Sequence, residues 1–193
     1  MKQWILNGAV APLLAPLLAL LLGLTGHSAA MAADDWRALQ PGTAVLFRHA
    51  LAPGVGDPPG FQLDNCSTQR NLNDEGRAQA RRLGQSFKDR GIAVGAVWAS
   101  QWCRTRETAD LAFPQRRQDQ PAFNSFFAQN DKAAEQTRAA QALLASWRGP
   151  GVLVVVTHQV NITALTGLGA ASGDGVVVRS TPQGLQVLGQ VSP

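Results

Sequence analysis

Residues 151–158, GVLVVVTH, restrict the fold more than any other stretch. The run is apolar at both the odd and the even positions, so it is buried on both faces, as a central strand of a parallel sheet is. Two more apolar runs read as strands: TAVLF at 43–47 and IAVGAVWAS at 92–100. Helical patterns alternate with them. In NLNDEGRAQARRLGQSFKDRG, Asn73 is the N-cap and Asp74 and Glu75 lie where the helix dipole favours acids. Ala80, Leu83 and Phe87 share one face, and Gly91 ends the helix. RTRETADLAF is helical and closed by Pro114. DKAAEQTRAAQALLASWRG is a helix with an apolar face of Ala134, Ala140, Leu143, Leu144 and Trp147, and QVNITALTG begins another. DGVVVRS and GLQVLGQV, separated by TPQ, form a closing antiparallel hairpin. LAPGVGDPPGFQLDNCSTQ is a long loop of turn residues, and residues 115–130 carry no clear pattern. The expected fold class is α/β: a three-layer α/β/α sandwich with a mostly parallel central sheet.

The first 32 residues are read apart from this fold. Lys2, the leucine- and alanine-rich run from Ile5 to Leu24, and Ala30-Met31-Ala32 form the three parts of a secretory signal peptide. The apolar run is about 20 residues long, enough to span a bilayer. Pro12, Pro16, the small-residue exit and the missing basic flank favour cleavage over a retained anchor. The expectation is a single domain at 33–193 with no stable membrane anchor, in the periplasm or secreted. The chain has a net charge of +4, and one of its positive charges, Lys2, leaves with the leader. The excess is carried by scattered arginines with no basic run interleaved with aromatics, which argues against nucleic acid. Isolated guanidiniums suit phosphate or carboxylate ligands.

In an open α/β sheet, ligands sit at the carboxyl ends of the strands. The three internal strands end in Arg48-His49, in Ser100 followed by Arg104, and in Thr157-His158. His27 lies in the leader, so both remaining histidines stand at strand ends. A phosphate monoester carries about two negative charges near neutral pH. Arginines would neutralise its oxygens, one neutral imidazole would attack phosphorus, and a second would donate to the equatorial oxygens.

FRHA, NLNDEGRAQARRLG, ASQWCRTRETA and VVVTHQ, in that order, resemble the histidine phosphatase superfamily, also called phosphoglycerate mutase-like, in its small periplasmic phosphatase-type form. The resemblance runs from residue 43 to about 168. It implies a phosphoglycerate mutase-like fold and a phosphoric monoester hydrolase with no cofactor and no metal, acting on a phosphorylated substrate. It implies His49 as nucleophile, with Arg48, Arg104 and His158 as the other phosphate-pocket residues. Arg70 is added as a phosphate or substrate contact. Two departures stand out. Mutase members carry an asparagine soon after the first histidine, and HALAPGVGDPPG has none. Many members follow the second histidine with glycine, where this chain has Gln159, whose side chain is expected to enter the pocket and read the substrate.

The general acid has no recognisable motif. Asp131 and Asp64 are the candidates carried forward, with Asp57, Asp119 and Glu135 as alternatives and Glu107 read as a structural partner of an arginine. Without a dedicated acid, good leaving groups such as phosphohistidine or acyl phosphate are favoured. The resemblance also bears on the two cysteines: if both motifs meet at one crevice, Cys66 and Cys103 pair as a disulfide beside Arg104. Two rivals remain: a zinc site of Cys66, Cys103, His49 and His158, and a non-catalytic envelope protein that keeps an oxyanion pocket.

Overall fold

The computed structural model describes Met1 and residues 34–193, so the leader expected at 1–32 lies, Met1 apart, outside the described residues. Among the described residues no helix is long and apolar enough to cross a membrane. The elements run β1 (Ala44–Arg48), α1 (Asp74–Asp89), β2 (Val94–Ala99), α2 (Cys103–Ala112), β3 (Arg117–Asp119), α3 (Ala133–Ser146), β4 (Val152–Thr157), α4 (Gln159–Thr166), β5 (Gly175–Thr181) and β6 (Gly184–Val191). They form one sheet in the order β3-β2-β4-β1-β5-β6. The first four strands in that order are mutually parallel, and β5 and β6 continue as an antiparallel hairpin against β1. β4 lies between two parallel neighbours with every residue buried, as its unbroken apolar run requires.

Alternation along β4 divides the core in two. Val152, Val154 and Val156 join Val45, Phe47, Leu83, Phe87 and Ala109 beneath α1 and α2. Leu153 and Val155 point the other way, toward Leu46, Trp98, Ala140, Leu144 and Ile162 beneath α3 and α4. These are the three layers. α1 begins as its sequence dictates: the Asn73 side chain accepts a 2.8 Å hydrogen bond from the Gly76 amide. It ends at Arg90, followed by Gly91 at φ 63°, a left-handed conformation that costs glycine little. Where α1 passes α2 the backbones nearly touch. A Cβ on Gly84 would stand 2.1 Å from the Ala112 carbonyl oxygen.

Two details depart from the sequence reading. Ala134 is exposed beside exposed Glu135 and takes no part in the core; Ala140 and Leu144 are the residues buried on that helix, with Leu143 and Trp147 packed partly buried against the same core. Residues 115–130 hold the edge strand β3 and then a 3-10 turn at Pro121–Phe123 that delivers Phe123, fully buried, into the second core. β3 is three polar residues paired on one side only, so it has no apolar alternation to betray it.

The register sets up the site. Arg48 stands opposite Thr157, and Ala99 opposite Val156. The ladder continues one step past the strands: the His49 amide donates to the Thr157 carbonyl (2.9 Å) and the Ser100 amide to the Val156 carbonyl (3.0 Å). His49, Ser100 and His158 therefore leave the sheet side by side at its carboxyl edge.

Candidate active site

A cavity of about 580 Å³ opens at that edge. Arg48, His49, Arg104 and His158 line it together with Arg70 and Gln159, so six residues singled out from the sequence converge on one space. His49, Arg104 and His158 are 2%, 3% and 3% exposed, a depth at which charge and protonation are set by neighbours rather than by water.

The state of His49 follows from its contacts. Its Nδ1 lies 2.8 Å from the Ala50 carbonyl oxygen, which can only accept, so Nδ1 carries the hydrogen and Nε2 keeps a bare lone pair. Burial, then the positive charge of Arg104, push its pKa down to about 3, against the opposite pull of the Ala50 carbonyl. Ala50 is itself held, its amide donating to Thr108 Oγ1 at 3.0 Å. The tautomer and the orientation of the ring are thus fixed by the strand end and by α2.

His158 packs edge-on against His49 and Trp102, with ring centroids 5.5 and 5.4 Å away. Arg104 Nη2 approaches its Nδ1 at 3.5 Å and can only donate, so Nε2 carries the hydrogen and gives it to Ser100 Oγ at 2.8 Å. Ser100 Oγ lies 3.3 Å from Asn124 Oδ1, which also receives the Gln101 amide at 2.8 Å. Burial and then Arg104 hold the His158 pKa well below the ordinary imidazole value. Both ring nitrogens are engaged within the protein, whereas the sequence reading gave one of them to a phosphate oxygen.

Charge in the cavity comes from three arginines and one acid. Arg48 Nη1 donates to the Ala170 carbonyl at 3.2 Å. Arg70 fastens the loop between β1 and α1: Nε donates to the Gly56 carbonyl at 2.8 Å and Nη1 to the Ala52 carbonyl. Burial and then the nearby Arg104 lower the pKa of both Arg48 and Arg70. Arg104 gives its fork to Asp57, with Nη1–Oδ1 2.6 Å and Nη2–Oδ2 3.2 Å. Asp57 also accepts from Trp102 Nε1 (2.9 Å) and from the Arg70 amide (3.2 Å). Burial alone would raise its pKa, but the Arg104 and Trp102 contacts outweigh it and hold the carboxylate ionised, below its ordinary range. Arg48 and Arg104 each bury an Nε–H without a protein acceptor. With both imidazoles neutral, the site carries a clear excess of positive charge, which suits an oxyanion.

The acids are placed differently from the expectation. Asp131 and Asp64 are exposed and do not line the cavity; they sit on outward-facing turns, so neither is in position to give a proton there. Asp119 is bound to Arg106 and Arg117, and Glu135 is exposed on α3. Glu107 pairs with Arg77 at 2.6 Å. Asp57, an alternative on the sequence, is the acid that lines the cavity. Gln159 lines it too, but its amide is turned to local structure rather than left free for substrate: Nε2 donates to Thr163 Oγ1 (2.9 Å) and Oε1 accepts from the Ala170 amide (3.0 Å).

Cys66 and Cys103 form a disulfide, with Cα atoms 5.7 Å apart. The bond ties the loop to the first residue of α2, next to Arg104, and takes both sulfurs away from any zinc site. Gln69 works beside it, accepting from the Cys103 amide at 2.9 Å and donating to the Gln62 and Leu63 carbonyls. Sequence reasoning missed Trp102, Gln69 and Asn124. Trp102 alone had a usable signal, its place between Ser100 and Arg104 in the second motif.

Residues 45–123 match the model of the histidine phosphatase superfamily (branch 1). No curated protein matches the sequence significantly. Among solved structures, the chain is similar to the alpha-ribazole phosphatase of Shigella flexneri, with a TM-score of 0.58 at 15% identity over 78% of this chain and 96% of that one. It is similar to the phosphoglycerate mutase of Thermus thermophilus, with a TM-score of 0.54 at 16% identity over 78% and 99%. A third is the protein histidine phosphatase SixA complexed with tungstate, with a TM-score of 0.53 at 15% identity over 78% and 97%. These likenesses show the fold, and over residues 45–123 the chain is similar to the histidine phosphatase superfamily (branch 1).

Proposed function

We propose that the protein is a phosphatase that hydrolyses phosphate monoesters, or phosphohistidine-like groups, through a phosphohistidine on His49. One observation carries the reading: a buried imidazole held neutral, its Nε2 lone pair bare because Nδ1 is bound to a carbonyl, in a cavity walled by three arginines. A neutral nucleophile is not repelled by a phosphate dianion, and the arginines stabilise the oxygens on which transition-state charge collects. In the first step the Nε2 lone pair forms a bond to phosphorus as the bond to the leaving oxygen or nitrogen breaks, and the departing atom takes a proton. In the second, water attacks phosphorus, the N–P pair returns to Nε2, the water gives up a proton, and inorganic phosphate is released. The related structure with bound tungstate, an oxyanion of phosphate-like shape, supports the choice of ligand.

The rival oxyanion-binding reading draws on the closed Arg104–Asp57 pair and on the two engaged nitrogens of His158. An activated phosphate ester separates the two. The expected result is a burst of the released leaving group followed by steady turnover; His49→Ala is expected to lose the burst and to slow turnover by about 10³-fold or more. Equal background turnover in both proteins supports the binder and defeats the phosphatase. The leader-like residues 1–32 and the disulfide also support export to the periplasm or beyond. The mass of the protein recovered from the cell envelope tests this: loss of 1–32 is expected, and an intact amino terminus counts against cleavage.

A further inference from the structure

We propose that the substrate phosphate is carried on an aromatic ring, so that the protein acts on aryl phosphate monoesters with phenol-type leaving groups. This rests on the phosphatase reading and narrows it, and two independent features of the cavity point the same way.

The first is the wall above the arginines. Phe61 stacks on Trp102 with centroids 5.0 Å apart and planes 20° from parallel. Val55 and Phe127 are 85% and 51% exposed, and apart from Met1 they are the exposed large hydrophobic side chains among the described residues. Both border this one cavity. They come from different loops that meet across its mouth: a Cβ on Gly56 would lie 3.7 Å from the Phe127 ring. Exposed apolar area concentrated at the entrance to a cationic pocket fits a ligand with an anionic head and an apolar body. Of the uncharged polar side chains on the lining, Gln159 is spent on Thr163 and the Ala170 amide and Ser125 accepts from the Phe127 amide, which leaves Gln129.

The second feature is the acid. Asp57 is the carboxylic acid lining the cavity, and in the free protein Arg104 and Trp102 hold it ionised, so it meets the substrate without a proton to give to a leaving oxygen. An aliphatic alkoxide needs that proton. A phenolate, whose conjugate acid has a pKa of about 10, departs without it. Acetyl phosphate also leaves readily but brings no ring to the apolar walls, and the imidazole of phosphohistidine is a smaller and more polar ring than a phenyl group. Long-chain alkyl phosphates would use the walls but lack a good leaving group. An aryl ester satisfies both conditions: its ring fills the slot between Phe61, Val55 and Phe127, and its oxygen leaves as phenolate and takes a proton from water after the P–O bond breaks.

Binding and turnover are read separately on the full protein. Phenylphosphonate, which cannot be hydrolysed, is titrated against methylphosphonate by Trp fluorescence. The aryl compound is expected to bind about tenfold tighter or better, and equal affinity overturns the proposal whatever the turnover shows. Phenyl phosphate is then compared with hexyl phosphate and acetyl phosphate. Phenyl phosphate is expected to exceed hexyl phosphate in kcat/KM by about a hundredfold or more. Comparable hexyl phosphate turnover, or turnover confined to acetyl phosphate, overturns the aryl assignment and leaves the phosphatase reading standing. His49-dependent turnover of none of the three overturns that reading and this proposal with it. Phe127→Ser and Val55→Ser alter exposed positions and put no burden on the core; each is expected to reduce the phenyl-over-methyl binding preference by about threefold or more. An unchanged preference in both removes the wall from the argument.

Discussion

At the scale of single residues, the site is controlled by which atom is left without a partner. His49 gives Nδ1–H to Ala50 and so presents Nε2, while His158 has both nitrogens taken. The His49 imidazole is therefore expected to stay neutral in the free protein from pH 8 to pH 4.5, observed as constant ring ¹³C and ¹⁵N shifts in NMR; a transition near its ordinary value of 6.5 refutes this. Asp57 is the counterweight to Arg104, and a phosphate must compete with it for the guanidinium fork. Replacing it by asparagine removes the competing charge, and tungstate is expected to bind about tenfold tighter to Asp57→Asn. Weaker binding would instead make Asp57 a residue that positions Arg104. Arg48, His49 and His158 were legible because they close apolar runs, and Arg104 because its motif follows the end of one. The role of Asp57 was not, because GDPPG reads as a turn and its meeting with Arg104 spans 47 residues of chain.

At the scale of elements, the parallel strands, the hairpin and the helices follow from periodicity and capping: Asn73 and Gly91 bound α1 much as their chemistry demands. What escaped was β3, too short and polar to show a pattern, and the exposed Ala134 of α3, since alanine fits either a core or a surface. Helix pairing also hides in the sequence. Gly84 looks like a weak point within α1, since alanine favours a helix interior by about 1 kcal/mol. The structure reverses that expectation, because a Cβ there would strike the Ala112 carbonyl of α2 at 2.1 Å. Gly84→Ala is expected to lower stability by about 1–3 kcal/mol in chemical denaturation; a stabilised variant would show that α1 and α2 can separate freely.

At the scale of the whole molecule, the buried neutral histidines tie stability to pH. The unfolded chain takes up protons on His49 and His158 near their ordinary value of 6.5, which the folded protein refuses until far lower pH. The unfolded state therefore binds more protons in this window, and stability is lost there as pH falls. Asp57, ionised by its arginine, adds the same sign further down, its contribution present above the ordinary carboxylate range and lost as pH falls through its lowered value. The thermal midpoint is expected to be level above about pH 7 and to decline steadily toward pH 4. A midpoint independent of pH across that range would mean that the histidines titrate normally in the fold.

The one-step extension of the backbone ladder past β1 and β2 has a consequence for descent. His49, Ser100 and His158 inherit their spacing from main-chain pairing rather than from any loop. The residues that border the entrance, Val55 to Phe61 and Ser125 to Gln129, belong to two connecting segments, the first closed off by the Cys66–Cys103 bond. Mutation can therefore rewrite what enters while leaving the reacting atoms where they were, and a lineage built on this sheet can exchange one substrate for another by changing positions in these two segments.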